Sequence, residues 1–347
     1  MDNINIKNIY WMLAYAFRSL NERELKKMSA ESFDNIYDLF SVMMTQELSK
    51  QVKRGLNKEY ILKQEELSRV RGKILTQDSI KNGSIIKNKL ICEYDEYSSN
   101  SYLNKIVKTA SEYLLKSKKI KDKYKYQKLK NILVYLRDVD TIDKNVINWN
   151  LVKYNKNNIS YKILTNISYL ILDGLLINKE DGSIDFIDYL DDQKMHRLYE
   201  KFIFEYYNYH HKYLSPRVTK IEWNIEGSEN IQFLPKMKTD IVLTHINKTL
   251  IIDAKYYSKT YQNNPLYDKK TFHSNNLYQI FSYVKNYDKK KTGDVSGLLL
   301  YAKSAEEDID VDYNMDGNTI SICTLDLSQE FDTVKIRLDN IVNKLMI

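Results

Sequence analysis

Apolar residues along this chain recur with two different periods, and the changes from one to the other mark out its elements. In the first half the helical period dominates. Ile9–Arg18 reads as a short apolar helix, and Ser32–Arg54 as a longer one, with Phe33, Ile36, Leu39 and Met43 on a stripe and Gly55 as terminator. Leu103, Ile106, Val107, Ala110 and Leu114 define an amphipathic helix. A further helix, Ile163–Ile177, follows the polar Asn155–Asn158 stretch. Two segments in this half read as strands, Tyr60–Leu67 and Ile85–Glu93, with Arg71, Gly72 and Lys73 in the loop region between them. Asn178–Ser183 is the best candidate linker.

The second half alternates more evenly. Met195, Tyr199, Phe202, Tyr206 and Tyr209 form a helical stripe, with Glu200 at its margin. Met237–Tyr257 reads as two strands folded about a tight turn at Ile246-Asn247-Lys248. Asn276–Val284 returns to the helical period and puts Gln279 and Tyr283, four apart, on one face. Strands at Gly297–Ala302 and Thr319–Leu325 follow. The closing helix carries Phe331, Val334, Leu338, Ile341 and Leu345. The layout predicts an α/β protein: an N-terminal mixed α+β domain over 1–183, then a domain over 184–347 with a central mixed sheet flanked by helices. A length of 347 residues gives two domains enough material for a core each, and no internal repeat is apparent.

Composition narrows the classes. The net charge of +7 and a pI near 8.9 favour a polyanionic ligand without approaching histone-like values. Basic residues gather in Lys116–Lys130, where tyrosines interleave with lysines; a DNA-backbone or partner-contact surface and a solvated helical edge both fit that pattern. The 29 tyrosines, with the abundance of Lys, Asn and Ile, match an AT-rich genome and receive no role. Cys92 and Cys323 lack metal spacing and fit a reducing cytoplasm. His196, His210, His211, His245 and His273 show no zinc pattern. No signal sequence leads the chain, and Ile9–Phe17 and Ile163–Ile177 are too short to span a bilayer, so a soluble protein without a membrane partner is expected.

The hairpin carries the chemistry. Folded about its turn, it sets Asp240 nearly opposite Asp253, and Lys255, two residues on, projects from the same face as Asp253. Folding does not ask for two carboxylates and a lysine at one end of an apolar ribbon. Mg²⁺ does: it takes oxygen ligands, keeps several waters, and needs only one or two carboxylates beside a substrate phosphate. Such a metal stabilises charge on phosphoryl oxygens and lowers the pKa of a bound water. Lys255 would then hold that water or stabilise developing charge. A surface hairpin with an ordinary Asp–Lys cross-strand pair is the bland alternative, weakened by the opposed Asp240, the β-branched approach to Asp253 and the small Ala254 on the other face. Glu200 is placed to reach a metal's outer shell, or is simply solvated. Gln279 and Tyr283 suit a nucleic-acid backbone or the bracing of the lysine.

The order of helix with Glu200, strand with Asp240, strand with Asp253-Ala254-Lys255, and helix with Gln279 and Tyr283 resembles the PD-(D/E)xK nuclease superfamily. Thr239, in place of the usual proline, precedes Asp240, and Pro235 lies upstream. In the first half Asn8–Phe17, Arg69–Ile74 and Cys92–Asn104 resemble, in that order, segments of the McrC family, the nuclease subunits of McrBC modification-dependent restriction systems. The resemblance spans essentially the whole chain. It implies an endodeoxyribonuclease that joins a hexameric AAA+ GTPase, McrB, and cuts double-stranded DNA carrying methylated cytosine. It implies Mg²⁺, or Mn²⁺, held by Asp240 and Asp253 with the Ala254 carbonyl as a further ligand, Lys255 assisting water, and Glu200 and Gln279 in secondary roles. GTP would enter only through the partner: the chain has no G-x-x-x-x-G-K-[ST], and Gly72-Lys73 lacks the upstream glycine. Partner binding is expected in the first half, with Arg71 and Lys73 as candidate contacts acting on the GTPase. Two alternatives stand beside this reading, a regulatory adaptor with a vestigial metal site and a stand-alone nuclease.

Overall fold

The computed structural model describes residues 4–16, 33, 35–174, 192–225, 231–256, 261–264, 269–303 and 308–346. Two compact units emerge, Asp34–Lys179 and Met1–Phe33 together with Glu180–Ile347. A single cut at 183 was expected instead, and the difference lies in helix α1 (Ile6–Ala16). Asn8 Nδ2 donates to the carbonyls of Leu327 and Gln329 at 2.8 and 2.7 Å, and Trp11 stacks on Phe331 at 4.3 Å. The apolar face of α1 is visible in the sequence; its partner, at the other end of the chain, is not. The expected linker Asn178–Ser183 lies outside the described residues.

In the unit 34–179, α2 (Ile36–Arg54) starts where the Asn35 side chain accepts the Asp38 N–H, and stops at Gly55, whose φ of +93° no longer fits a helix. Strand β1 (Glu59–Leu67) and the two-residue β2 (Lys73–Ile74) follow, then α3 (Thr76–Lys81) and β3 (Leu90–Ser98). β3 pairs antiparallel with both, Glu59 opposite Ser98 through Leu67 opposite Leu90, and Lys73 opposite Glu93. The strand expected at Ile85–Glu93 therefore begins five residues later. Ser84–Lys87 winds as a 3₁₀ turn, and Asn88, with φ of +53°, breaks the extended run. The apolar pair Ile85-Ile86 that suggested a strand is exposed. Helices α4 (Tyr102–Lys116), α5 (Lys123–Ile132) and α6 (Lys162–Gly174) complete the unit. All five residues of the predicted α4 stripe are buried, with Leu39, Phe40, Met44 and Leu48 of α2 and Leu164, Ile167 and Ile171 of α6.

The other unit continues with α7 (Asp192–His210), the short pair β4 (Lys220–Ile221) and β5 (Met237–Lys238), and the hairpin β6 (Ile241–His245) and β7 (Lys248–Lys255). Then come the ribbon β8 (Tyr261–Asn264) and β9 (Lys269–Phe272), α8 (Ser274–Tyr287), β10 (Val295–Ala302), β11 (Asp310–Met315), β12 (Asn318–Leu325) and α9 (Phe331–Met346). Among the described residues a five-stranded sheet runs β11-β12-β10-β7-β6. β10 is parallel to both β7 and β12, while the edge strands β6 and β11 are antiparallel to their neighbours. This is the expected mixed sheet flanked by helices. The unbroken apolar runs Leu250–Ile252 and Leu298–Leu300 are fully buried, as central strands covered on both faces require.

α8 packs one face, its Ile280, Tyr283 and Val284 clustering with Ile251, Leu299 and Ile320. Gly297 permits that approach: a Cβ there would lie 2.7 Å from Ile280 and 2.9 Å from Val284 and Ile320. α7 and α9 also pack on β7. Tyr206 Oη donates to Asp339 Oδ1 at 2.7 Å and Tyr207 Oη to the Leu338 carbonyl at 3.1 Å, fastening those two helices together. No helix among the described residues is long and apolar enough to cross a membrane.

Candidate active site

The site begins with the β6–β7 register. Ile241 faces Ile252, Leu243 faces Leu250 and His245 faces Lys248, across a turn at Ile246-Asn247. Continued by one residue, that register sets Asp240 across from Asp253. Ile246 takes φ of +53°, a left-handed conformation costly for a β-branched side chain, so the turn is imposed by the strands it joins rather than by its own preference. The stretch before Asp240 is pinned too. Thr239 N–H donates to the Thr219 carbonyl at 2.9 Å, and its hydroxyl accepts the Thr219 N–H at 3.0 Å. Thr239 thus fixes the backbone that presents Asp240.

Past Ile241, β6 no longer ladders with β7, and Asp240 takes over: its Oδ2 accepts the Ala254 N–H at 3.0 Å. In an extended strand the N–H and C=O of one residue point to the same side. The Ala254 carbonyl is therefore directed to the edge that the Asp240 carboxylate occupies. Asp253 and Lys255, two apart in β7, share the face covered by α8. Lys255 Nζ lies 2.8 Å from Asp253 Oδ2 and donates to Gln279 Oε1 at 3.0 Å. Gln279 Nε2 donates to Tyr283 Oη at 2.9 Å, and Tyr283 Oη donates to the Lys238 carbonyl at 3.0 Å. Lysine, amide and phenol form one line that ends on the backbone just before Asp240.

Electrostatics set this cluster apart from a surface ion pair. Asp253 and Lys255 are only 1% and 7% exposed. Burial raises Asp240 well above the usual carboxylate range, the charges of Asp253 and Glu200 raise it further, and the Ala254 N–H and Lys255 oppose them. Asp253 is also raised, by burial, against the pull of Lys255. Burial raises Glu200 as well; Lys238 opposes this and Asp253 adds to it. Three carboxylates sit within one another's fields with too little positive charge to ionise them all. Asp253 Oδ2 is buried without a well-aligned hydrogen bond, its close contact being the charge of Lys255.

A hard divalent cation suits that deficit. Two opposed carboxylates and a carbonyl are the kind of donor set that Mg²⁺ accepts alongside waters and phosphate oxygens. No three His, Cys, Asp or Glu side chains converge on one point among the described residues. Glu200 bears on Asp240 and Asp253 through its charge.

Of the residues singled out from sequence, Asp240, Asp253, Ala254, Lys255, Gln279 and Tyr283 come together, and Glu200 acts on them through its charge. Arg71 and Lys73 belong to the other unit. The Arg71 guanidinium lies over the Tyr94 ring at 3.9 Å, and Lys73 is an exposed residue of β2 rather than of a loop. His196 escaped the sequence reading. It is half-buried one turn before Glu200, its Nδ1 3.9 Å from Glu200 Oε2, and burial and the charge of Lys255 lower its pKa, against Asp253. Its i, i+4 spacing to Glu200 was the available signal.

Comparison with known proteins bears on the whole chain. The family model for the McrBC 5-methylcytosine restriction system component matches residues 2–302. The type IV methyl-directed restriction enzyme EcoKMcrBC of Escherichia coli (strain K12) is 24% identical over 344 residues, covering 98% of each chain. A half-complex from the tetradecameric assembly of Thermococcus gammatolerans McrB AAA+ hexamers with bound McrC is similar in fold, with a TM-score of 0.56 at 16% identity, over 98% of this chain and 76% of that chain.

Proposed function

Because the chain belongs to the family of McrBC 5-methylcytosine restriction system components, we propose that it is the nuclease subunit of such a system, hydrolysing phosphodiesters of methylcytosine-containing double-stranded DNA at Asp240, Asp253 and Lys255. The convergence of those three side chains at the open end of a buried hairpin carries the reading. Asp240, Asp253 and the Ala254 carbonyl would hold Mg²⁺, for which Mn²⁺ can substitute. When bound, the metal supplies charge stabilisation at the phosphoryl oxygens and an activated water. Lys255, kept in place by Gln279 and Tyr283, presents its ammonium to the nucleophile or to the developing charge. Glu200 tunes the field, and its negative charge favours retention of the cation.

The unit 34–179 would serve the partner, an McrB-like AAA+ GTPase hexamer whose hydrolysis this chain stimulates. Three observations support this: no phosphate-cradling loop occurs in the sequence, the fold resembles a protein solved with McrB hexamers, and the segment from β1 to β3 exposes Tyr60 and Leu62 on β1 with Val70, Ile85 and Ile86 in its connections. Arg71 and Lys73 are the ribbon cations we assign to GTPase stimulation. Cys92 and Cys323, both free and buried, suit a reducing cytoplasm. Reconstitution with an McrB-like AAA+ GTPase on methylated and unmethylated plasmids tests the proposal. Cleavage of methylated plasmid that requires this chain, GTP and Mg²⁺ is expected. GTPase stimulation without cleavage would reduce the chain to an adaptor, and cleavage without the GTPase would make it a stand-alone nuclease.

A further inference from the structure

Outside the hydrolytic site, the chain's charge is concentrated in one place. Residues 116–130 hold eight lysines against one aspartate, a net +7 that equals the net charge of the whole chain and leaves the remainder balanced. Lys116, Lys118, Lys121, Lys123, Lys128 and Lys130 are all exposed.

The backbone beneath them is held rather than loose. The turn from α4 to α5 is fastened from inside the unit: the fully buried Asp38 accepts the N–H groups of Lys121 and Asp122 at 2.9 and 3.4 Å, and Asn35 Nδ2 donates to the Lys119 carbonyl at 3.1 Å. Lys118 is kept at φ of +56°, which costs a side-chain-bearing residue about 1 kcal/mol. Asp122 caps α5 by accepting the N–H groups of Tyr124 and Lys125, while Ile120 and Leu129 are buried beneath. A solvated edge needs none of this fastening. It sets the lysines as a fixed array on a turn and the first turns of a helix, with the exposed Tyr124 phenol among them under the Lys128 ammonium at 4.2 Å.

We propose that this surface docks the phosphate backbone of double-stranded DNA, apart from the hydrolytic hairpin and whether or not that hairpin cuts. The chemistry selects the occupant. A protein interface has an apolar centre within a polar rim, whereas Tyr124 is the large apolar side chain that residues 116–130 expose. Clustered lysines with a hydroxyl donor match a polyanion, read by charge without regard to base sequence.

The test uses the full chain in EDTA, with binding to an unmodified duplex followed by fluorescence anisotropy over a salt series. A variant with Lys118, Lys121, Lys123 and Lys128 all changed to Gln should bind at least tenfold more weakly at low salt. Its plot of log affinity against log salt should be shallower by about 3.6, near 0.9 for each of the four phosphates no longer neutralised. Changing the same four to Arg should preserve both quantities, which separates charge from folding. Changing Lys89, Lys153, Lys156 and Lys162 to Gln removes as much charge elsewhere and should leave both near wild type. The proposal is overturned if the wild-type chain does not bind duplex, if the Lys118 set binds like wild type, or if both Gln sets weaken binding equally. It is overturned equally if the Lys118 set abolishes association with the GTPase while DNA binding is unchanged, since the surface would then serve a protein.

Discussion

Gln279 Oε1 accepts a hydrogen bond from Lys255 Nζ at 3.0 Å, on the face where that ammonium also meets Asp253 Oδ2 at 2.8 Å. The lysine is thereby held between a carboxylate and an amide from two different elements. Without Gln279 it would keep its charge and lose its direction. Gln279→Leu should lower cleavage by the reconstituted complex by roughly 10- to 100-fold, the usual effect of removing a supporting partner at a metal site. Partner GTP hydrolysis, assayed on the same preparation, should not change; wild-type cleavage would remove Gln279 from the site.

The raised carboxylates predict a pH dependence of stability. A carboxyl group whose pKa is higher folded than unfolded keeps its proton longer in the native state. Its contribution to stability is therefore greatest at low pH and declines as pH rises above the ordinary Asp value of about 3.9. Asp240, raised by burial and by Asp253 and Glu200, follows that sign. Thermal melts in EDTA should show wild type losing stability from about pH 4 to about pH 8 more steeply than Asp240→Asn. Mg²⁺ favours the ionised pair, so the rise in Tm that it gives wild type should grow with pH over the same span. Parallel pH curves for the two proteins would contradict the assigned electrostatics.

Gly72 is required where β2 meets β3. Its φ is +68°, and a Cβ would lie 2.3 Å from the Glu93 carbonyl oxygen. Gly72→Ala should displace Lys73–Ile74 from the ribbon at a local cost of about 1–3 kcal/mol. Hydrogen exchange at Leu75, whose N–H donates to the Ile91 carbonyl at 2.8 Å, should accelerate, GTPase stimulation should fall, and exchange in β7 should be unaltered. Unchanged protection at Leu75 would show that the ribbon absorbs the methyl group.

Gly297 makes the corresponding prediction for the sheet. Gly297→Ala pushes a methyl group into Ile280, Val284 and Ile320, an overpacking worth about 1–3 kcal/mol. The Tm should drop, and because α8 carries Gln279, cleavage should fall beyond what the loss of folded protein explains. A variant as stable as wild type would mean that α8 is less closely seated than its packing indicates.

What could be read from the sequence followed from locality. The hairpin was legible because a short turn and a two-residue period together dictate which residues oppose each other, so Asp240, Asp253 and Lys255 could be aligned before any fold was in hand. The α4 stripe was legible for the same reason at period 3.6. The N-terminal strand boundary was not: Ile85 and Ile86 have strand composition, but the left-handed Asn88 and the bond from Ile91 N–H to Ser79 Oγ defer the strand to Leu90. Nor was the grouping of α1 with the C-terminal unit, because the pairing of Trp11 with Phe331 leaves no trace in either local pattern. His196 leaves a different trace: it has no zinc-ligand spacing, and its signal is a carboxylate one helical turn away.

The most direct test is single substitution within the triad. Asp253→Asn and Lys255→Ala, each reconstituted with the GTPase, are to be assayed side by side for cleavage of methylated plasmid and for GTP hydrolysis. Both variants should lose cleavage by at least about a thousandfold while stimulating GTP hydrolysis as wild type does. Plasmid cut at the wild-type rate by either variant would mean that the phosphodiester is hydrolysed somewhere else.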